Sequence, residues 1–341
     1  MTALVIGAGY IGSALTRLLL ARGERVVTLD NCFSAEETTI AGLGQGYPAE
    51  AYSFFRGSIS EPRDVRRAIS AANRPSIVFC LAAQASARAD AATPEYTEET
   101  NLRGPRLVLD ALGQQRQPGA SLTIVYASST RVYGDSLTGG RLPDARTAPY
   151  GRFSDLAHLS KIYTEKLHEM YAAPAGPLAG ARIVAARLGL VYGVAPVMKT
   201  DYRFMTAPNK FCLQAIRGEE IAVWGQQDVA LVHVADAARA LMALASASGE
   251  GYAPVNIAAE VVSVARIARE VGAAAAARGR AVRLSIPDET PAADESWASE
   301  SRLEDTSPDE LATGWVASDL GGAPELDLRR GIAEVLDYFG C

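Results

Sequence analysis

One turn near the amino end constrains this 341-residue chain more than anything that follows it. Gly7-Ala8-Gly9-Tyr10-Ile11-Gly12 follows the apolar run Ala3–Ile6 without a spacer and opens a helical pattern. In a strand–turn–helix of this kind the three glycines have separate tasks. Gly7 permits the tight turn, Gly9 lets the backbone approach a pyrophosphate, and Gly12 lets the helix lie close on the strand. The helix N-terminus adds N–H donors and positive potential for the phosphates. Alone, the motif is weak evidence. Here the next apolar run ends on Asp30, about twenty residues on, where a carboxylate can accept from a ribose 2′-hydroxyl. That charge would repel a 2′-phosphate, so NAD is expected rather than NADP. Tyr10, Ile11 and Asn31 complete the expected cradle. Leu81, Ala82, Ala83 and Gln84 end a later strand in small residues, which suits contact with the adenosine half, and Ser58-Ile59 stands where an adenine contact could form.

Around this turn the first half alternates β-branched runs with helical patterns, the rhythm of a parallel sheet covered on both faces. Strands are predicted at Ala3–Ile6, Arg25–Leu29, Ser53–Phe55, Ser76–Leu81, Leu122–Ala127 and Arg182–Arg187. Helices are predicted near Ile11–Arg22, Glu61–Ala72, Pro94–Leu112 and Asp155–Met170, several of them closed by Gly or Pro. Beyond Arg187 the pattern loosens. An irregular loop from Pro196 to Pro208 precedes a helix near Lys210–Arg217, a strand near Ile221–Trp224 and a helix from Val234. Pro287–Ser301 reads as a solvated loop. The fold class is therefore α/β, a Rossmann-type doubly wound parallel sheet with a smaller C-terminal substrate-binding lobe. The expected division is 1–190 for the dinucleotide domain, with returns near 228–258, and 191–341 mainly for the substrate lobe.

Composition removes other classes. A net charge of −6, with no Lys/Arg run of five or more, argues against a nucleic-acid partner. Cys32, Cys80, Cys212 and Cys341 are far apart, and the three histidines (His158, His168, His233) lack metal-site spacing, so neither a disulfide framework nor a metal is expected. The apolar start lacks a basic n-region and is interrupted by Arg17, unlike a signal peptide. No stretch approaches the roughly 20 apolar residues of a membrane span. A soluble cytoplasmic protein that acts on a small molecule is expected.

The chain resembles the extended short-chain dehydrogenase/reductases, specifically the NAD-dependent nucleotide-sugar epimerases and dehydratases. The resemblance covers nearly the whole length. It rests on the glycine turn, Leu81-Ala82-Ala83-Gln84, Ser128-Ser129-Thr130-Arg131-Val132-Tyr133-Gly134, Ser160-Lys161, Arg187 with Val191-Tyr192-Gly193, and Val232-His233-Val234-Ala235-Asp236. Within that group, His158-Leu159-Ser160-Lys161 and Asn209-Lys210-Phe211-Cys212-Leu213-Gln214-Ala215 are similar to UDP-sulfoquinovose synthase. The resemblance implies transient oxidation of a sugar hydroxyl, usually at C4, by NAD. In such enzymes a tyrosine takes the proton and a lysine four residues on lowers its pKa. A Ser/Thr holds the reacting oxygen. By position Ser129, with Thr130 beside it, and Lys161 fill two of these roles. The tyrosine position is Ala157, which has no proton to move. Three explanations stand open: a deliberately replaced tyrosine, another base such as Tyr150 or His158, or loss of redox chemistry.

The resemblance also implies substrate contacts at Ser129, Arg187, Lys199, Tyr202, Arg203, Asn209, Lys210, Gln214 and Arg302. One departure stands out. The arginine that pairs with the diphosphate in the resembling enzymes is replaced by the apolar pair Val229-Ala230, so a charge-assisted bond is lost. Lys210 or Arg302 could compensate. A nucleotide-sugar enzyme, a tailoring enzyme for a metabolite without a diphosphate, and an NAD-binding pseudoenzyme or sensor all remain candidates. By analogy, a homodimer is expected through Pro94–Leu112 and Asp155–Met170.

Overall fold

The computed structural model describes residues 2–117, 119–134, 137, 142–143, 145, 153–223, 227–286 and 324–340. Its first half winds as β1 (Thr2–Ile6), α1 (Tyr10–Ala21), β2 (Arg25–Asp30), the short α2 (Glu37–Ala41), β3 (Tyr52–Arg56) and α3 (Pro62–Ala71). There follow β4 (Ile77–Cys80), α4 (Pro94–Glu98), α5 (Gly104–Gln115), β5 (Thr123–Ser129), α6 (Leu156–Ala172) and β6 (Arg182–Leu188). The remainder runs β7 (Leu190–Tyr192), α7 (Ala207–Arg217), β8 (Ile221–Ala222), β9 (Asp228–His233), α8 (Val234–Ser246) and β10 (Gly251–Ile257). The last elements are β11 (Glu260–Ser263), α9 (Val264–Ala276), β12 (Leu284–Ser285) and α10 (Leu328–Gly340).

Seven strands form one parallel sheet in the order β10-β6-β5-β4-β1-β2-β3. The fold is Rossmann-like. Strands such as β1 and β4 are apolar and buried throughout their centres because helices cover both faces. On one face α1 and α8 pack over Val5, Phe79, Val125 and Val184; on the other α3, α5 and α6 pack over Leu4, Val78, Ile124 and Ile183. Strand order reverses between β1 and β4, so the crevice at their carboxyl ends is where such a sheet binds ligands.

The later chain builds a second apolar cluster. A three-stranded sheet, β11-β9-β7, and the β12-β8 pair meet α7, α9 and α10 around Tyr192, Phe211, Leu231, Val271 and Val335. Among the described residues no helix is long and apolar enough to cross a membrane.

Three predicted elements differ in detail. The helix expected over Pro94–Leu112 carries a π-helical turn at Glu99–Arg103, between α4 and α5. Pro105 has no N–H to donate to the preceding turn, which loosens the ladder there. α7 begins at Ala207, inside the expected loop, because Pro208 suits a first helical turn. Of the strand expected near Ile221–Trp224, Ile221–Ala222 is extended, and Trp224 lies outside the described residues.

Candidate active site

The glycine turn shows which of its glycines the protein itself requires. Gly7 has φ +97°, and a Cβ there would strike the main chain of Leu81 and Ala82. A Cβ on Gly12 would strike the Gly7 carbonyl. At Gly9 nothing lies within 4 Å of the same position. The middle glycine thus borders open space at the head of α1, whose first turn has neither a capping side chain nor an acid. Asp30 faces that space from the end of β2. Its Oδ2 accepts from Ala8 N (2.8 Å) and its Oδ1 from Cys32 N (2.7 Å). Burial pushes its carboxyl pKa up against the opposing pull of these amides, Gly9 N–H and the Lys199 ammonium.

Lys199 was expected at the substrate, yet its charge acts on Asp30. The preceding Val197 explains this. Its side chain packs with Ala8, Cys32, Ile40 and Leu43, and its N–H donates to Ser13 Oγ (3.1 Å), so the segment lies across the glycine turn. Burial lowers the Lys199 pKa, and its ammonium has no hydrogen bond or ion pair among the described residues.

In the segment expected to meet the adenosine half, Leu81 N and Ala82 N both donate to Ile6 O, which presses Leu81-Ala82-Ala83 against the turn. The π turn aims Asn101 at Gln84. Asn101 Oδ1 accepts from Gln84 N, and its Nδ2 donates to Gln84 O (2.8 Å each) and to Ser160 Oγ (3.0 Å). Sequence reasoning passed over Asn101, and Pro105 four residues on was the available signal. Asn31 donates to Tyr96 Oη (2.9 Å), on which Phe33 stacks. Ser58 is taken up by a local turn with Ser60 and Asp64, and the Ile59 side chain is spent on the core. A contact from these two to an adenine is thus left to main chain.

Tyr10 and Ile11 open α1 differently from each other. Ile11 packs on the core. Tyr10 is buried, donating to Gly193 O (2.6 Å) and accepting from Asn209 Nδ2 (3.0 Å); burial drives its pKa far up. Asn209 also accepts from Gly193 N and donates to Gly193 O. Expected at the substrate, it spends its whole amide bracing the second lobe to the glycine turn.

The residues expected to be catalytic lie on β5 and α6 and in the turn between β5 and the following segment. Ser129, the last residue of β5, accepts from Arg131 N (3.1 Å), and its own proton has no acceptor among the described residues. Thr130 is buried beside it. Lys161 is buried under this strand end. Its ammonium donates to Ala127 O (2.7 Å) and lies 5.0 Å above the Tyr126 ring. Burial lowers its pKa to about 8, opposed by Glu165. Two of its three donors thus have no acceptor among the described residues. Ala157 lies one turn before it, buried, its carbonyl accepting from Ser160 Oγ. His158 follows, its ring against Asp155 (Nδ1 to Oδ2 2.6 Å). Tyr150 lies outside the described residues.

Arg187, also expected at the substrate, is a brace. It pairs with Glu165 through two hydrogen bonds (2.9 and 2.7 Å) and donates to Tyr133 Oη and Ala145 O. Ser128 Oγ and Tyr252 Oη also donate to Glu165, and Tyr133 Oη to Asn256 Oδ1 (2.6 Å). These bonds occupy four of the five guanidinium N–H donors and leave one on Nη2. Further out, Tyr202 donates to Glu219, with Lys210 and Arg217 over its ring. Gln214 lies one turn past Lys210 and donates to Glu220 O, while its buried Oε1 has no partner among the described residues. Arg203 pairs with Asp201 and reaches Asp90 O. Val229 and Ala230 sit in apolar surroundings. Arg302 lies outside the described residues.

A dinucleotide fits this arrangement. Open space at Gly9, an uncapped helix head, a carboxylate at the strand end and buried ammonium donors lacking acceptors among the described residues match pyrophosphate and ribose in kind.

The model of the NAD dependent epimerase/dehydratase family matches residues 3–258. A UDP-glucose 4-epimerase of Erwinia amylovora is 30% identical over 166 residues, 49% of this chain and 47% of the relative. The match thus spans about half of that epimerase. A UDP-glucuronic acid decarboxylase 1 of Xenopus tropicalis is 25% identical over 345 residues, 98% of this chain and 70% of the relative. Among solved structures, the UDP-glucose 4-epimerase of Thermus thermophilus in complex with NAD shares 27% identity, with a TM-score of 0.72 and 99% of both chains covered. The UDP-glucose 4-epimerase of Bifidobacterium longum in complex with NAD+ and UDP shares the fold at 20% identity, with a TM-score of 0.76 and 99% and 98% covered.

Proposed function

The chain belongs to the NAD-dependent epimerase/dehydratase family, and from that premise we propose that it uses NAD to oxidise a nucleotide-sugar hydroxyl to a transient 4-keto sugar. Lys161 carries this reading: a buried ammonium with one acceptor among the described residues needs others, and ribose hydroxyls beside the strand end would provide them. When bound, NAD supplies the hydride acceptor. The rest falls to the chain. Asp30 accepts from the adenosine ribose, and the head of α1 with Lys199 meets the dinucleotide's phosphates. Ser129 donates to the reacting sugar oxygen. Lys210, at the second lobe, is the described cation left for a sugar diphosphate once Val229 replaces the usual arginine. The likeness of 158–161 and 209–215 to UDP-sulfoquinovose synthase points to a UDP-hexose.

Mass spectrometry of small molecules released from denatured protein tests the reading. NAD and a sugar nucleotide are expected. Protein that neither carries nor takes up NAD would overturn it.

A second reading has two observations behind it. Ala157 removes the usual base and Val229 the usual phosphate partner, as a retired enzyme serving as NAD sensor would, or a tailoring enzyme for a substrate without diphosphate. A thermal-shift screen separates them. Stabilisation by one UDP-, dTDP- or GDP-sugar supports the enzyme, whereas a response to NAD alone supports the sensor.

We also place the chain in a reducing cytoplasm, where Cys32, Cys80 and Cys212 stay free as they are here. A homodimer is proposed through α6, whose Leu159, Tyr163 and Met170 are each about half exposed along one helical stripe. Tyr163→Glu should convert a dimer to a monomer by light scattering while leaving NAD uptake intact. A wild-type protein that is already monomeric would remove the proposal.

A further inference from the structure

The proposed oxidation needs a group to take the sugar proton, and Ala157 cannot. We propose that His158, held by Asp155, is that base. The inference rests on the redox reading above and adds the residue that makes it workable without tyrosine.

Asp155 grips its neighbour twice. As N-cap of α6 it accepts from His158 N through Oδ1 (2.9 Å), and its Oδ2 meets the ring Nδ1 at 2.6 Å. Burial works against charge on Asp155. Even so, hydrogen bonds from the His158 ring and backbone N–H, and the charges of His158 and Arg131, hold its pKa below the usual carboxylate range. An ionised carboxylate only accepts, so the proton of the neutral ring sits on Nδ1 and the lone pair on Nε2. Nε2 has no hydrogen bond among the described residues, and the side chain is 15% exposed.

The pair also stands in the right neighbourhood. Arg131, whose charge acts on Asp155, belongs to the same turn as Ser129 and donates its N–H to Ser129 Oγ. His158 adjoins the vacant tyrosine position, three residues before Lys161. Among the described residues the other titratable groups nearby are less suited to take a proton. Lys161, as an ammonium, has no lone pair to offer; the Tyr133 phenol lies between Arg187 and Asn256, with its pKa raised by burial. The Tyr126 phenol is buried in the core with its pKa driven up. Tyr163 is exposed on another face of α6.

In the step, the sugar O–H bond breaks and its proton goes to Nε2. The carbon–hydrogen bond breaks with its electron pair passing to the nicotinamide, and a carbonyl forms. The sugar is oxidised, NAD is reduced, and the imidazolium left behind is paired with Asp155. On the return the same atoms run backwards. An imidazole exchanges protons near neutral pH, where a phenol needs its pKa pulled down first. That difference lets the tyrosine be dispensed with.

The test uses the full chain loaded with NAD, assayed with UDP-glucose and UDP-glucuronic acid for bound NADH and for product, with NAD affinity measured in parallel. His158→Gln, and His158→Asn as a second variant, should lower turnover about 10²- to 10⁴-fold, the usual worth of a positioned acid–base group, at unchanged NAD affinity. Asp155→Asn should also lower the rate at unchanged NAD affinity, because the imidazolium formed in the step loses its anion. Wild-type rates in both His158 variants would overturn the assignment and leave the redox reading standing. So would a chain that turns over only after Ala157→Tyr. No turnover by either wild type or Ala157→Tyr would overturn the redox reading itself.

Discussion

Gly9 and Gly12 are three residues apart, yet one methyl group should have opposite consequences at the two. At Gly9 the added carbon meets nothing within 4 Å, so Gly9→Ala should leave the unliganded protein's melting temperature unchanged and abolish NAD uptake. At Gly12 it meets the Gly7 carbonyl, so Gly12→Ala should cost about 1–3 kcal/mol of stability before any ligand is added. Calorimetry with and without NAD separates the two effects; equal losses of stability would contradict the assignment of open space. Lys161 makes a prediction with a sign. Burial holds its pKa at about 8, below its ordinary 10.5, so over that window the unfolded chain binds more protons than the folded one. Stability of the NAD-free protein should therefore rise as pH climbs through 8 toward the unfolded value, and Lys161→Met should flatten that rise. Denaturant titrations at several pH values check it. Lys161 and the glycines were legible because they recur at fixed spacing. Lys199 was legible as a cation, but its placement over Asp30 depends on how Val197 packs, which spacing does not encode.

At the scale of elements, readability followed periodicity. The central strands are apolar runs between glycine and proline stops, and they fold as such. β10 is less readable because Pro254 and Asn256 interrupt it. It is tolerated at the sheet edge, where one side of the strand needs no ladder partner. The single helix expected over Pro94–Leu112 hid a π turn, since helical periodicity registers the average and not one inserted residue. α6 was legible as a helix, while its inner face was not. Glu165, fully buried one turn after Lys161, gathers Arg187, Ser128 and Tyr252 and so joins α6 to β5, β6 and β10. Glu165→Gln would leave the Arg187 charge buried without its partner, at an expected cost of about 3–5 kcal/mol. Chemical denaturation measures this. A loss under about 1 kcal/mol, the scale of an exposed pair, would show that this contact is not what ties these elements together.

For the molecule as a whole, the question is what makes a sheet and a lobe built mostly of later chain act on one ligand. The two meet where Tyr10, in the first turn of α1, shares its hydroxyl with Gly193 and with Asn209 of α7. Neither half of this contact announces itself in sequence, because the residues are 183 and 199 positions apart. A helix head proposed to receive a pyrophosphate is thereby anchored to the helix that carries Lys210 and Gln214. Ordering at one end is then felt at the other without a hinge having to be invoked. NAD binding should slow hydrogen exchange in α7 as well as in α1. In Tyr10→Phe, which removes the hydroxyl and keeps the ring, protection of α1 by NAD should persist while that of α7 falls. Exchange mass spectrometry with and without NAD reads both helices in one experiment. If α7 were protected equally in the two proteins, the hydroxyl would be a local filler, and the link between cofactor and substrate lobe would have to run through Val197 and Lys199.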